Sequence, residues 1–149
     1  MDNFSRAIAF VLEHEGGFQN IASDKGNWTG GAVGKGELKG TKYGISAASY
    51  PKLDIANLTL ETAREIYKRD YWERSGADEL AWPLCLVVMD TAALHGAATA
   101  QVWLAEVGPN ALVLAAKRLR SYTNMSGWPT SGIGWVRRVA DLLMAIQEA

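Results

Sequence analysis

Nine of the chain's fifteen glycines fall between positions 16 and 46, and a segment so rich in glycine does not hold a helix. Trp28, Thr29, Leu38, Thr41, Tyr43 and Ile45 are spread among them, so the stretch reads as a long loop or a small, irregular β-hairpin. Long loops inside compact domains are commonly functional. A helix leads into this one. Phe4, Ala7, Ile8, Val11 and Leu12 recur at the spacing of a buried helical face; Asp2 is placed to cap the start, and Gly16-Gly17 to end it. Glu15 therefore stands where a rigid helix meets a turn whose backbone can approach a ligand closely. Such a position suits a catalytic acid, and it equally suits a solvated carboxylate at a helix end.

The remainder is helical in pattern. Thr59 is an N-cap with Glu61 in the first turn, and Ala63, Ile66, Tyr67 and Tyr71 form an apolar stripe that ends near Trp72. A central helix over about 83–107 opens with Pro83 and is apolar on nearly every side as far as Met89, the mark of burial within a bundle. Gly96 bends or divides it, and Gly108-Pro109 ends it. A helix over 110–123, a loop holding Gly127-Trp128-Pro129, and a helix over 132–148 with Val136, Val139, Leu142, Leu143 and Ile146 turned inward complete the chain. Arg137 and Arg138 read either as ligand-contacting side chains or as a solvated pair.

The 149 residues suit one domain with a real core, and a net charge of −1 offers no electrostatic grip on nucleic acid. Cys85, the single cysteine, sits among Leu84, Leu86 and Val87 as a core filler. His14 and His95 lack metal-ligand spacing. Neither an export signal nor a membrane span is expected: Leu84–Ala105 carries Asp90, His95 and Gln101.

Several fragments, in order, resemble glycoside hydrolase family 108, the lysozyme-like N-acetylmuramidases of phages, prophages and some bacteria. They are His14-Glu15-Gly16-Gly17-Phe18, Asp24-Lys25-Gly26-Asn27, Gly40-Thr41-Lys42-Tyr43-Gly44-Ile45-Ser46, Ile66 through Trp72, Met89-Asp90-Thr91-Ala92 with His95-Gly96, and Gly134-Trp135 through Val139. Lys25 stands where the family usually has proline, His95 where asparagine is usual, and the loop from Asn27 to Gly40 is longer than the minimal form.

The resemblance implies a mainly α (α+β) fold, a lysozyme-like helical bundle with a small glycine-rich β-hairpin near the N-terminus. It implies a single domain over 1–149, with a catalytic part at 1–108 and a C-terminal helical segment at 109–149 that contacts the wall. It implies Glu15 as general acid. Asp24, separated from Glu15 by eight residues as in phage-type lysozymes, would activate water or stabilise positive charge; as a turn residue it would also cap its own loop. Thr41, with Thr29 as the competing choice, would orient the water. Trp28, Tyr43, Tyr71 and Trp72 offer faces on which pyranose rings stack, with His14 beside the acid. Asp90 interrupts an apolar run and needs a partner; it reads as a third active-site carboxylate, or as a group fixing the central helix against the catalytic loop. The substrate would be bacterial peptidoglycan, cleaved by a monomer without metal or organic cofactor. Made in the host cytoplasm, the protein would reach the wall through a holin or with the virion. A lytic transglycosylase and a non-catalytic wall-binding or phage structural module are the alternatives.

Overall fold

Asp2 accepts the backbone N–H of Ser5 at 2.8 Å and so opens α1, Asn3–His14, in the computed structural model, which describes residues 1–148. The backbone divides into two compact units. One is Ile8–Ile66; the other joins Met1–Ala7 to everything from Tyr67 onward, so residue 108 lies in its interior.

The first unit holds most of α1, a 3-10 turn at Lys25–Asn27, the strands β1 (Thr41–Lys42) and β2 (Ile45–Ser46), and most of α2, Leu60–Tyr67. The strands pair antiparallel, with Lys42 opposite Ile45. The two residues between them, Tyr43 and Gly44, have φ of 53° and 77°, the geometry of a tight turn whose twist matches the strands it joins. α2 starts as expected: the Thr59 hydroxyl accepts the N–H of Thr62 at 3.1 Å. Ile8, Val11, Ile45, Ala47, Ile55 and Ala63 are buried here.

The second unit is helical. α2 runs on as a π-helical turn, Lys68–Glu73, followed by α3 (Leu84–His95), α4 (Ala97–Val107), α5 (Ala111–Tyr122) and α6 (Trp128–Ala145). Every residue of α3 from Cys85 to Ala92 is buried, and α3 packs against α4 and α5 while α5 packs against α6. Burial pushes the Cys85 thiol above its ordinary range. Gly96, at φ 89°, divides the central apolar stretch into two helices. Among the described residues no helix is long and apolar enough to cross a membrane.

α6 departs from the sequence expectation in two ways. It begins at Trp128, not 132, because Pro129 in the first turn loses no hydrogen bond there, and the Trp128 ring lies over Gly132, where an added Cβ would meet it at 2.5 Å. Val136, expected inside, is 40% exposed, whereas Arg138 is buried and not a solvated charge. Two residues are about 200° apart around a helix, so turning Arg138 inward turns Val136 out.

What draws Arg138 in is Asp90, which has no exposed surface. One carboxylate oxygen accepts Arg118 Nη1 at 2.9 Å; the other accepts Arg138 Nη2 at 2.7 Å and Nε at 3.1 Å. Burial pushes this carboxyl up, but the two guanidinium charges overcome it and hold it below the ordinary 3.8. Asp90 thus ties α3 to α5 and α6. Its partners lie on those helices, where the sequence pointed to the glycine-rich loop.

Arg118 Nε also donates to the Tyr122 hydroxyl at 3.1 Å, and that hydroxyl lies 3.1 Å from His95 Nε2. With the tyrosine oxygen accepting from arginine, its own proton is available to a neutral imidazole. Burial first, and the Arg118 charge second, lower the His95 pKa from 6.5 to about 4. As pH falls, the unfolded chain takes this proton before the folded one does. The contribution is whole above pH 6.5, declines toward pH 4 and is level below that. Melting temperature is expected to fall across this window, and His95→Asn to flatten the fall; parallel pH–melting curves for the two proteins would refute it.

Candidate active site

The carboxylate that the sequence singled out comes just after α1. Glu15 is half-buried at a bend, its N–H hydrogen-bonded to the Leu12 carbonyl at 3.3 Å. His14, the last helical residue, holds its Nδ1 2.9 Å from the Phe10 carbonyl and tilts against the Phe10 ring.

Past Gly16-Gly17 the chain turns extended, and Gln19 pairs with Thr41: Gln19 N–H donates to the Thr41 carbonyl at 2.9 Å and Thr41 N–H to the Gln19 carbonyl at 2.8 Å. This close return explains Gly40. At φ 89°, a Cβ there would sit 2.5 Å from the Gln19 carbonyl and 2.7 Å from the Phe18 ring. Glycine alone fits the strand to this neighbour. Thr41 is thereby held beside a residue only four positions after Glu15.

Asp24 does what a turn residue does: one carboxylate oxygen accepts Gly26 N–H at 2.9 Å and caps the 3-10 turn. The other oxygen accepts Gln19 Nε2 at 3.3 Å. The turn delivers Asn27, which is fully buried and which sequence reasoning passed over. Its Nδ2 donates to Gln19 Oε1 at 2.6 Å and to the Ile21 carbonyl at 3.0 Å; its Oδ1 accepts the Thr41 hydroxyl at 2.7 Å and Gln19 Nε2 at 3.2 Å. Its carbonyl oxygen also accepts the N–H groups of Lys39 and Gly40. Asp24 and Thr41 are joined through this pair of amides. Sequence offered no clear signal for it, because Asn and Gln in a loop usually face water.

Thr29, the competing threonine, has its hydroxyl engaged elsewhere, accepting Glu37 N–H at 2.9 Å. Trp28 is half-buried, its indole N–H donating to the Ala22 carbonyl at 2.9 Å. Tyr43 is half-buried at the hairpin tip, with the Lys42 ammonium 5.3 Å from its ring centre. Beside the same loop, Phe18, Asn20, Leu38, Lys39, Asp54 and Ile55 line a cavity of about 360 Å³, at the small end of the roughly 300–1,000 Å³ typical of ligand clefts.

The other expected site residues belong to the helical unit. Tyr71 is half-buried and packs on Tyr67 with ring centres 5.1 Å apart. Trp72 is buried, and Phe4 meets it edge-on at 5.6 Å. Asp90 is consumed by the two arginines. A larger cavity in that unit, about 590 Å³ between Trp82, Pro109, Leu112 and Ile146, includes none of the expected site residues.

Three comparisons bear on this arrangement. The family model described as Glycosyl hydrolase 108 matches residues 8–96, a span that takes in Glu15, Asp24 and Thr41 and stops before α4. No curated protein matches the sequence. The solved "Structure of Brucella abortus SagA" is similar in fold, with a TM-score of 0.76 at 23% identity over 97% of this chain and 94% of that one.

Proposed function

Because the chain belongs to glycosyl hydrolase family 108, we propose that it is an N-acetylmuramidase, hydrolysing the β-1,4 bond between N-acetylmuramic acid and N-acetylglucosamine in peptidoglycan. Glu15 gives its proton to the leaving oxygen, while Asp24 takes a proton from the water that attacks the sugar carbon and Thr41 orients that water. The supporting observation is the hydrogen-bonded network that joins Asp24 to Thr41 through Gln19, four residues beyond Glu15. Trp28 and Tyr43 supply stacking faces on the same loop. Residues 109–149 contribute to the fold through Arg118 and Arg138; exposed Trp128 and Ile133 leave room for wall contact as well. In a phage or prophage setting such a protein acts as an endolysin or a virion lysin.

The chain ends left in purified peptidoglycan test this reading. Digestion is expected to leave reducing muramic acid ends, each carrying the elements of one water. Ends one water lighter, the 1,6-anhydro form, would assign the protein to the lytic transglycosylases; no new glycan ends would leave only a binding role.

A further inference from the structure

Water attack requires more than a carboxylate and a hydroxyl nearby; the hydroxyl must present the right polarity. Thr41 carries one proton and can either donate or accept toward a water. Asn27 removes that choice. Its Nδ2 faces the carbonyl of Ile21, which can only accept, so the amide is oriented with Oδ1 toward Thr41. Oδ1 has no proton, so Thr41 must donate to it, across 2.7 Å. Gln19 locks the arrangement by pairing with both ends of the Asn27 amide, and the same Gln19 Nε2 reaches Asp24.

We infer that Asn27, held by Gln19, is a positioning residue that fixes the direction of the Thr41 hydroxyl and so selects water over the sugar's own C6 hydroxyl as the attacking group. This rests on the muramidase reading above. With its proton committed to Asn27, the Thr41 oxygen only accepts. A water at this place gives one hydrogen to Thr41 and the other to Asp24, and its lone pair is left for the sugar carbon. The carbon–oxygen bond to the leaving sugar breaks as the new one forms; Glu15 supplies the leaving oxygen's proton and Asp24 receives the water's. When the water is misdirected, the C6 hydroxyl of the same muramic acid attacks the sugar carbon instead, and its proton goes to the Glu15 carboxylate that has just protonated the leaving oxygen. The product is then the 1,6-anhydro ring, with no water consumed.

The branching ratio between reducing and anhydro ends reads this directly, because it is set at each turnover and does not depend on how much enzyme is folded. Asn27→Asp keeps an acceptor for Thr41 but turns its second oxygen against two acceptors, Gln19 Oε1 and the Ile21 carbonyl. Thr41→Val removes the hydroxyl outright. Each is expected to lower kcat by about ten- to a hundred-fold with little change in KM, and to raise the anhydro fraction several-fold. The double variant is expected to be no worse than Thr41→Val alone, and a core truncation such as Val139→Ala to keep the parental ratio. An Asn27→Asp protein with the parental ratio, or losses that multiply in the double variant, overturns the role given to Asn27 while leaving the muramidase intact. A parent whose new ends are mainly anhydro overturns both.

Discussion

Glu15→Gln is expected to slow the clearing of purified walls by about 10²- to 10⁴-fold, the usual contribution of a positioned general acid, while the variant sediments with those walls as well as the parent does. Glutamine matches the side chain in size, and the backbone bond to Leu12 that sets the bend does not involve the carboxylate. What disappears is a transferable proton at the end of α1. Clearing at the parental rate would mean that the acid lies elsewhere, whatever the family of the chain.

The second large effect concerns stability. Asp90→Asn leaves two buried guanidinium charges, Arg118 and Arg138, sharing a neutral partner. Removing one member of a buried ion cluster costs about 3–5 kcal/mol, a large part of the roughly 5–15 kcal/mol that stabilises a typical domain. The urea midpoint is expected to drop sharply with little change in slope. Converting all three together, as Asp90→Leu with Arg118→Met and Arg138→Leu, is expected to recover most of the loss, since no charge is then left inside. A single variant within about 1 kcal/mol of the parent would show that the cluster contributes little. The sign of the pH effect agrees: a carboxyl held below 3.8 when folded stabilises above that value and loses its contribution as acid protonates it.

Local physics was legible in the sequence; contacts across long sequence distances were not. Asp2 and Thr59 act as caps because capping needs only a side-chain oxygen three residues before an N–H. The buried α3 followed from apolar residues on every face. The α+β class followed from the glycine-rich segment set against helical periodicity, and the fold likeness to SagA agrees. By contrast, Arg118 and Arg138 meet Asp90 across 28 and 48 residues, and a basic residue on a helix looks the same in sequence whether it faces water or a buried acid. The site divides in the same way. Asp24's cap on Gly26 is local and was expected, but the Gln19–Asn27 pairing depends on a strand returning from residue 41. The start of α6 was misjudged because Trp-Pro after glycine reads as a loop until the ring of Trp128 is seen lying over Gly132.

The order in which the Asp90 cluster leaves the ribosome has a consequence of its own. The carboxylate emerges first, its first arginine 28 residues later and its second 48 residues later. Until the first of them is made, α3 can be fully enclosed only around a lone charge or a protonated acid. The helical half of a nascent chain thus stays open to chaperones and proteases until Arg118 has emerged, and a ribosome stalled after Gly108 would carry a chain with neither arginine to close on.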